Sequence, residues 1–109
     1  MKIKMLDRDV MEREIGYRPF TTFFEDFSIA DAFGIAAIEE TFTRCFESWQ
    51  YDYKYMTELV LVLRWKVEEH FGDKKTYAVK YQELGDKADE WVREHLEGDE
   101  LEYYYRTID

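Results

Sequence analysis

Residues 52–71, DYKYMTELVLVLRWKVEEHF, decide the fold. Met56, Val60, Leu63, Val67 and Phe71 recur at spacings of four, three, four and four, which places them on one face of a helix. Leu59, Leu61, Val62 and Trp65 widen that face beyond a stripe, so this helix must be covered on several sides. It is the expected centre of the molecule. Burial of Leu59, Val60, Leu63 and Trp65 is the expected main source of stability.

Immediately upstream, Ile35, Ile38, Phe42, Cys45 or Phe46, and Trp49 hold a helix register, with Glu39, Glu40, Arg44 and Glu47 on the other side. That register runs on through Tyr53 into Met56 without a Gly or Pro. A single helix over 35–71 would be about 55 Å long, too long for a domain whose radius of gyration is about 13 Å. A break at 50–52 is therefore expected, with Asp52 as the N-cap of the central helix. Downstream, Gly72 and Asp73 read as a turn, after which Tyr77, Tyr81, Leu84, Ala88, Trp91 and His95 define a third long helix over 75–97. Gly85 lies inside that register, Gly98 ends it, and Asp99 with Glu102 reads as the cap of a last turn.

Farther out, Thr22 with Glu25 and Ser28 with Asp31 resemble capping boxes, which predicts short helical turns across 20–33. Phe20, Phe23, Phe24, Phe27 and Phe33 make that segment an aromatic lid on the core, broken by Gly34. Pro19 turns the chain into it. Within 1–19, residues 7–15 fit a short amphipathic helix and residues 2–6 alternate as a short strand does. The fold class is all-α: a small helical bundle with three long helices plus short aromatic-rich N-terminal helical segments, in one domain over 1–109.

Composition agrees with that class. The chain is 46% hydrophobic and 18% aromatic, which excludes a disordered chain, while one Pro and five Gly argue against a turn-rich β fold. Formal charge is −10, so the field of the molecule repels nucleic acid phosphates and anionic membranes and favours basic partners. The acid is uneven: residues 20–52 sum to −6, 53–72 to zero and 73–109 to −5. One cysteine, Cys45, rules out an intrachain disulfide and reads as a small core residue. No run reaches the roughly 18 apolar residues of a membrane span, and the charged start has no signal-peptide core. A cytoplasmic protein is expected.

Motifs that carry chemistry are sparse. Val67 and Val92 stand three before His70 and His95, where a carboxylate-bridged metal helix needs Glu. Paired cysteines, His-Glu-x-x-His, calcium loops and glycine-rich phosphate loops are missing from the sequence. A metal site built from Glu39, Glu40, Glu58 and Glu69 is weighed against the ordinary reading of solvated helix faces, which is favoured, and the enzymatic alternative is a carboxylate site that no motif reveals. Ser28 reads as a cap, Ser48 as an exposed helix residue, and His70 as a partner of the last carbonyls of its helix. No catalytic residue, metal or cofactor is assigned.

Two surface features remain. Glu97, Asp99, Glu100 and Glu102 form an acidic patch suited to a basic protein partner. Tyr103, Tyr104 and Tyr105 follow directly, and Tyr51, Tyr53 and Tyr55 form a second set; tyrosine is enriched where proteins meet, although it also seals core edges.

The segments DFSIADAFGIAAIEETFTRCFESW, YKYMTELVLVLRWKVEEHF and GDELEYYYRTID together resemble a family of small uncharacterised acidic proteins carried on conjugative transposons and related mobile elements of gut anaerobes. The resemblance spans residues 20–109 and implies a setting, with no activity to carry over. The expected function is a non-enzymatic acidic interaction module that binds a basic protein and does not bind nucleic acid or membrane directly. The alternative in the same electrostatic class is a DNA mimic or immunity-type inhibitor of a basic nuclease or DNA-binding protein.

Overall fold

A computed structural model describes residues 19–108, with side chains from Phe23 onward. The readings made for 1–18 lie outside the described residues. Five helices follow in order: α1 (Pro19–Asp31), α2 (Ile35–Trp49), α3 (Tyr53–His70), α4 (Lys75–His95) and α5 (Gly98–Ile108). No strand occurs among the described residues. The longest dimension is 39 Å, shorter than an unbroken helix over 35–71 would need.

The break falls where the register argument requires it. Asp52 accepts hydrogen bonds from the backbone N–H groups of Lys54 and Tyr55 at 3.0 and 3.1 Å, which satisfies two orphan donors at the start of α3. Trp91 on α4 donates from its indole nitrogen to the Gln50 carbonyl at 3.0 Å and pins the connection from outside.

α3 touches each of the other four helices. Contacts between α3 and α4 run in opposite sense, Leu63 facing Gly85, Lys66 facing Tyr81 and His70 facing Tyr77, so the two are antiparallel. α1 and α2 form an antiparallel hairpin, since Asp26 meets Arg44 across the turn at 32–34. Gly34 enters α2 at φ 111°, a backbone angle that a side chain would strain.

Two N-terminal expectations change. Residues 19–31 form one continuous helix in place of short capped turns. Phe23, Phe27 and Ala30 keep a helix spacing and are buried, and that continuous apolar register overrides the two weak capping signals. Ser28 sits inside the helix and accepts a hydrogen bond from Lys66 at 3.2 Å. At the C-terminus, the expected last turn extends to the 11-residue α5.

The α3 register is correct for Met56, Leu59, Val60, Val62 and Leu63, all fully buried. Trp65 is not part of the core: it is 55% exposed, edge-on to Phe24 at 6.5 Å. Leu61, Arg64, Trp65 and Glu68, spaced by three, one and three, form the least covered stripe of α3. Phe71, just past the helix end, is likewise exposed.

Leu63→Ala removes a fully enclosed side chain and should cost about 2–5 kcal/mol in urea unfolding. The opposite sign is expected one contact away. A methyl group at Gly85 would meet Leu63 Cβ at 3.6 Å, ordinary contact, so Gly85→Ala should stabilise by about 0.5–1 kcal/mol through helix propensity. A lower melting temperature for that variant would show that the α3–α4 interface has no room for it.

Candidate functional site

The densest polar cluster lies where α1 crosses α3 and α4. Lys66 extends from α3 with only 1% of its side chain exposed, which an unpaired ammonium would not tolerate. Its Nζ lies 2.6 Å from Asp31 Oδ2, is hydrogen-bonded to Glu69 one turn on, and stands 5.0 Å from the centroid of Phe24 and 5.8 Å from that of Tyr81. Two carboxylates and two aromatic faces therefore replace its water.

Asp31 is the hub. Its Oδ2 also meets His70 Nε2 at 2.8 Å, and its Oδ1 accepts from the Tyr81 hydroxyl. That hydroxyl is 3.2 Å from the Phe27 carbonyl, so α4 is tied to α1 twice. The His70 imidazole stacks on the Tyr81 ring at 5.7 Å and 6°. Sequence reasoning placed His70 beside the last carbonyls of its own helix. The structure turns it toward α1, because Asp31 offers a carboxylate at the same level.

Burial alone would raise the Asp31 carboxyl, but hydrogen bonds from Lys66, Tyr81 and His70, with the Lys66 charge, outweigh it and hold the group below the ordinary carboxylate range. Burial and the Asp31 carboxylate push the Tyr81 phenol well above its usual value, so it stays a donor.

Asp31, Glu69 and His70 bring their ligand atoms within 4.8 Å of one another, the geometry a cation needs. Lys66 already supplies the cation. A divalent ion would have to displace an ammonium bonded to two of the three ligands, so the cluster reads as a charge-assisted tie between helices, with one carboxylate more than the single ammonium. Of the four carboxylates considered from sequence, only Glu69 belongs to it. Glu39 reaches Lys80 at 3.6 Å, Glu40 lies on the α2 surface and Glu58 is buried in α3.

Cys45 is buried, and loss of solvent with the nearby Asp26 charge pushes its thiol up to about 11, which keeps it protonated and non-nucleophilic. Ser48 is exposed on α2.

The C-terminal set divides. Glu97, Asp99 and Glu102 are exposed, whereas Glu100 is half-buried and close enough to Asp52 to raise it further above the shift that burial causes. Asp99 and Glu100 occupy the first turn of α5, where negative charge complements the helix dipole. Tyr104 is a core residue: it is fully buried and donates to Asp89 Oδ1 at 2.5 Å. Tyr103 packs perpendicular to Tyr53 at 5.2 Å, and Tyr105 lies under the Arg93 guanidinium at 5.0 Å. These tyrosines fasten α5 to α3 and α4. Of the second set, Tyr55 is buried and Tyr51 is exposed beside Trp91.

One surface feature escaped the sequence reading. A cleft of about 340 Å³ lies along the α1–α2 hairpin. Asp26, Ile29, Ala30 and Phe33 line one wall; Ala37, Glu40, Thr41 and Arg44 line the other. Phe33 is 79% exposed and Ile29 62%. Both walls carry the same i, i+3, i+4, i+7 spacing, and that pairing of stripes was the available signal.

Comparison with protein-family models, curated proteins and solved structures finds no match for this chain.

Asp31→Asn should lower stability at pH 7 by about 3 kcal/mol, the low end for a broken buried pair because Glu69 still faces Lys66. A carboxyl depressed in the folded state contributes fully above its unfolded value of about 3.9, and the contribution is lost as pH falls through the folded value. The wild type should therefore lose more stability than Asp31→Asn between about pH 5 and pH 2 in urea melts. Parallel pH profiles would remove Asp31 as the acid-sensitive group.

Proposed function

We propose that this chain is a non-enzymatic acidic interaction module of the cytoplasm that binds a basic protein partner, in the mobile-element setting its sequence resemblance implies. One observation carries the reading: the chain has 25 acidic against 15 basic residues, and several of its cations are drawn into intramolecular pairs while carboxylates remain exposed. Lys66 is buried against Asp31, Lys80 pairs with Glu39 and Glu83, and Arg93 pairs with Asp89. Glu40, Glu47, Glu97 and Glu102 remain exposed on α2, α5 and the turn between α4 and α5. A surface of this kind repels polyanions and steers a cationic surface inward.

Against the enzymatic alternative, Asp31 and Glu69 are bonded to the protein's own ammonium, and Asp31 is held below the ordinary carboxylate range. No described helix is long and apolar enough to cross a membrane.

The test is affinity capture from host lysate, then association kinetics with the captured partner across a salt series. Reversal of Glu40, Glu47, Glu97 and Glu102 to Lys takes the net charge from −10 to about −2 and touches no buried side chain. The association rate should fall roughly tenfold at low salt and converge on wild type at high salt. Equal rates at every ionic strength, with unchanged circular dichroism, would leave the acid as a solubility feature.

A further inference from the structure

We infer that the α1–α2 cleft is a docking groove for an amphipathic helix of the partner, one that presents an apolar anchor flanked by lysine or arginine. This deepens the reading above and rests on it. The hairpin shape comes first. Two antiparallel helices joined by the short turn at 32–34 leave between them a groove of the kind a third helix fills.

Side-chain sizes then grade the groove along its length. Toward the hairpin turn the lining is Ile29, Ala30, Phe33 and Ala37, two exposed large apolar groups beside two small ones. Large apolar groups standing in water beside small ones form a slot for a leucine-sized side chain, and burying them there is favourable. One turn away the groove becomes polar.

Charge chooses the occupant. Arg44 offsets Asp26 at 3.8 Å, so the net charge of the lining rests on Glu40, beside the apolar slot. The hairpin around it, residues 19–49, has six acidic residues against one arginine and so carries −5. An incoming helix with acidic flanks would meet like charge. One with Lys or Arg three or four residues from its apolar anchor places that cation near Glu40.

The probe is a 14-residue synthetic peptide, LKKLLKLLKKLLKL, with LEELLELLEELLEL as its charge-reversed control, titrated into the isotope-labelled full chain and followed by amide chemical shifts. The lysine peptide should shift amides concentrated in 26–44. Phe33→Ala and Ile29→Ala, both at exposed positions, should each weaken it about fivefold or more with the fold unchanged. The glutamate peptide should leave the cleft unperturbed.

Shifts spread over α4 and α5 and insensitive to Phe33→Ala would overturn the groove while leaving the acidic-module reading standing. Equal binding of both peptides would overturn the charge selection, and absence of binding by either would overturn the groove. A concentration-dependent dimer in sedimentation that Phe33→Ala dissolves would assign the cleft to a second copy instead.

Discussion

A helix that is buried around most of its circumference cannot rest on a single neighbour, and α3 is such a helix over its first three turns. At about 100° per residue Met56, Leu59, Val60, Val62 and Leu63, all fully buried, span about 160°, and the buried Glu58 and Thr57 carry the covered arc well past half a turn. The remaining helices are arranged to meet that demand, each in contact with α3. The stripe of Leu61, Arg64, Trp65 and Glu68 is where coverage runs out, and its polar residues mark that edge. A small domain with one central element has little redundancy, so its core side chains are worth more singly than in a layered fold.

Within that apolar setting the Lys66 charge is the exception that orients the rest. Hydrophobic contact alone would let α1 slide or rotate on α3 and α4 at small cost, because burial is non-directional. The ammonium admits one arrangement, with Asp31 of α1 and Glu69 of α3 as acceptors, and Tyr81 and His70 completing the lone pairs of Asp31. A buried ion pair adds little net stability over an apolar replacement, but a half-satisfied one is costly. Misregistered packings of α1 are penalised accordingly. The same arrangement sets an ammonium against Asp31 and Glu69, two of the three residues of the metal-like cluster among the described residues.

What remains for interaction is the outer surface, and there the two ends of the chain differ. At the C-terminus the tyrosines are committed to packing α5, and Asp99 and Glu100 serve its first turn. On the α1–α2 hairpin, Ile29 and Phe33 are largely exposed, and the cleft they line carries one net negative charge, on Glu40. Exposed apolar groups of that size cost solubility unless they are used, whereas isolated surface carboxylates cost almost nothing.

Periodicity made much of this legible in advance. The helices at 35–49, 53–70 and 75–95, the break at 50–52 and the Asp52 cap follow from residue spacing, because a register reports which side chains share a face and a cap needs only a local oxygen. The absence of familiar catalytic spacings was likewise readable. Spacing cannot say what a face meets. Trp65 and Phe33 looked like core residues and stand in solvent; Tyr104 looked like a contact residue and is enclosed; Ser28 and Asp31 looked like caps and instead hold Lys66. Those assignments depend on partners 15 to 39 residues away, or on none, and only the packing of α1 and α5 onto α3 and α4 brings them together or leaves them apart. The sequence by itself determined the all-α class and the helices around 35–49, 53–70 and 75–95, since those registers are set within a few turns of chain. Tertiary structure alone decided which charges are buried and which hydrophobes are left for a partner, since both are properties of the space between helices.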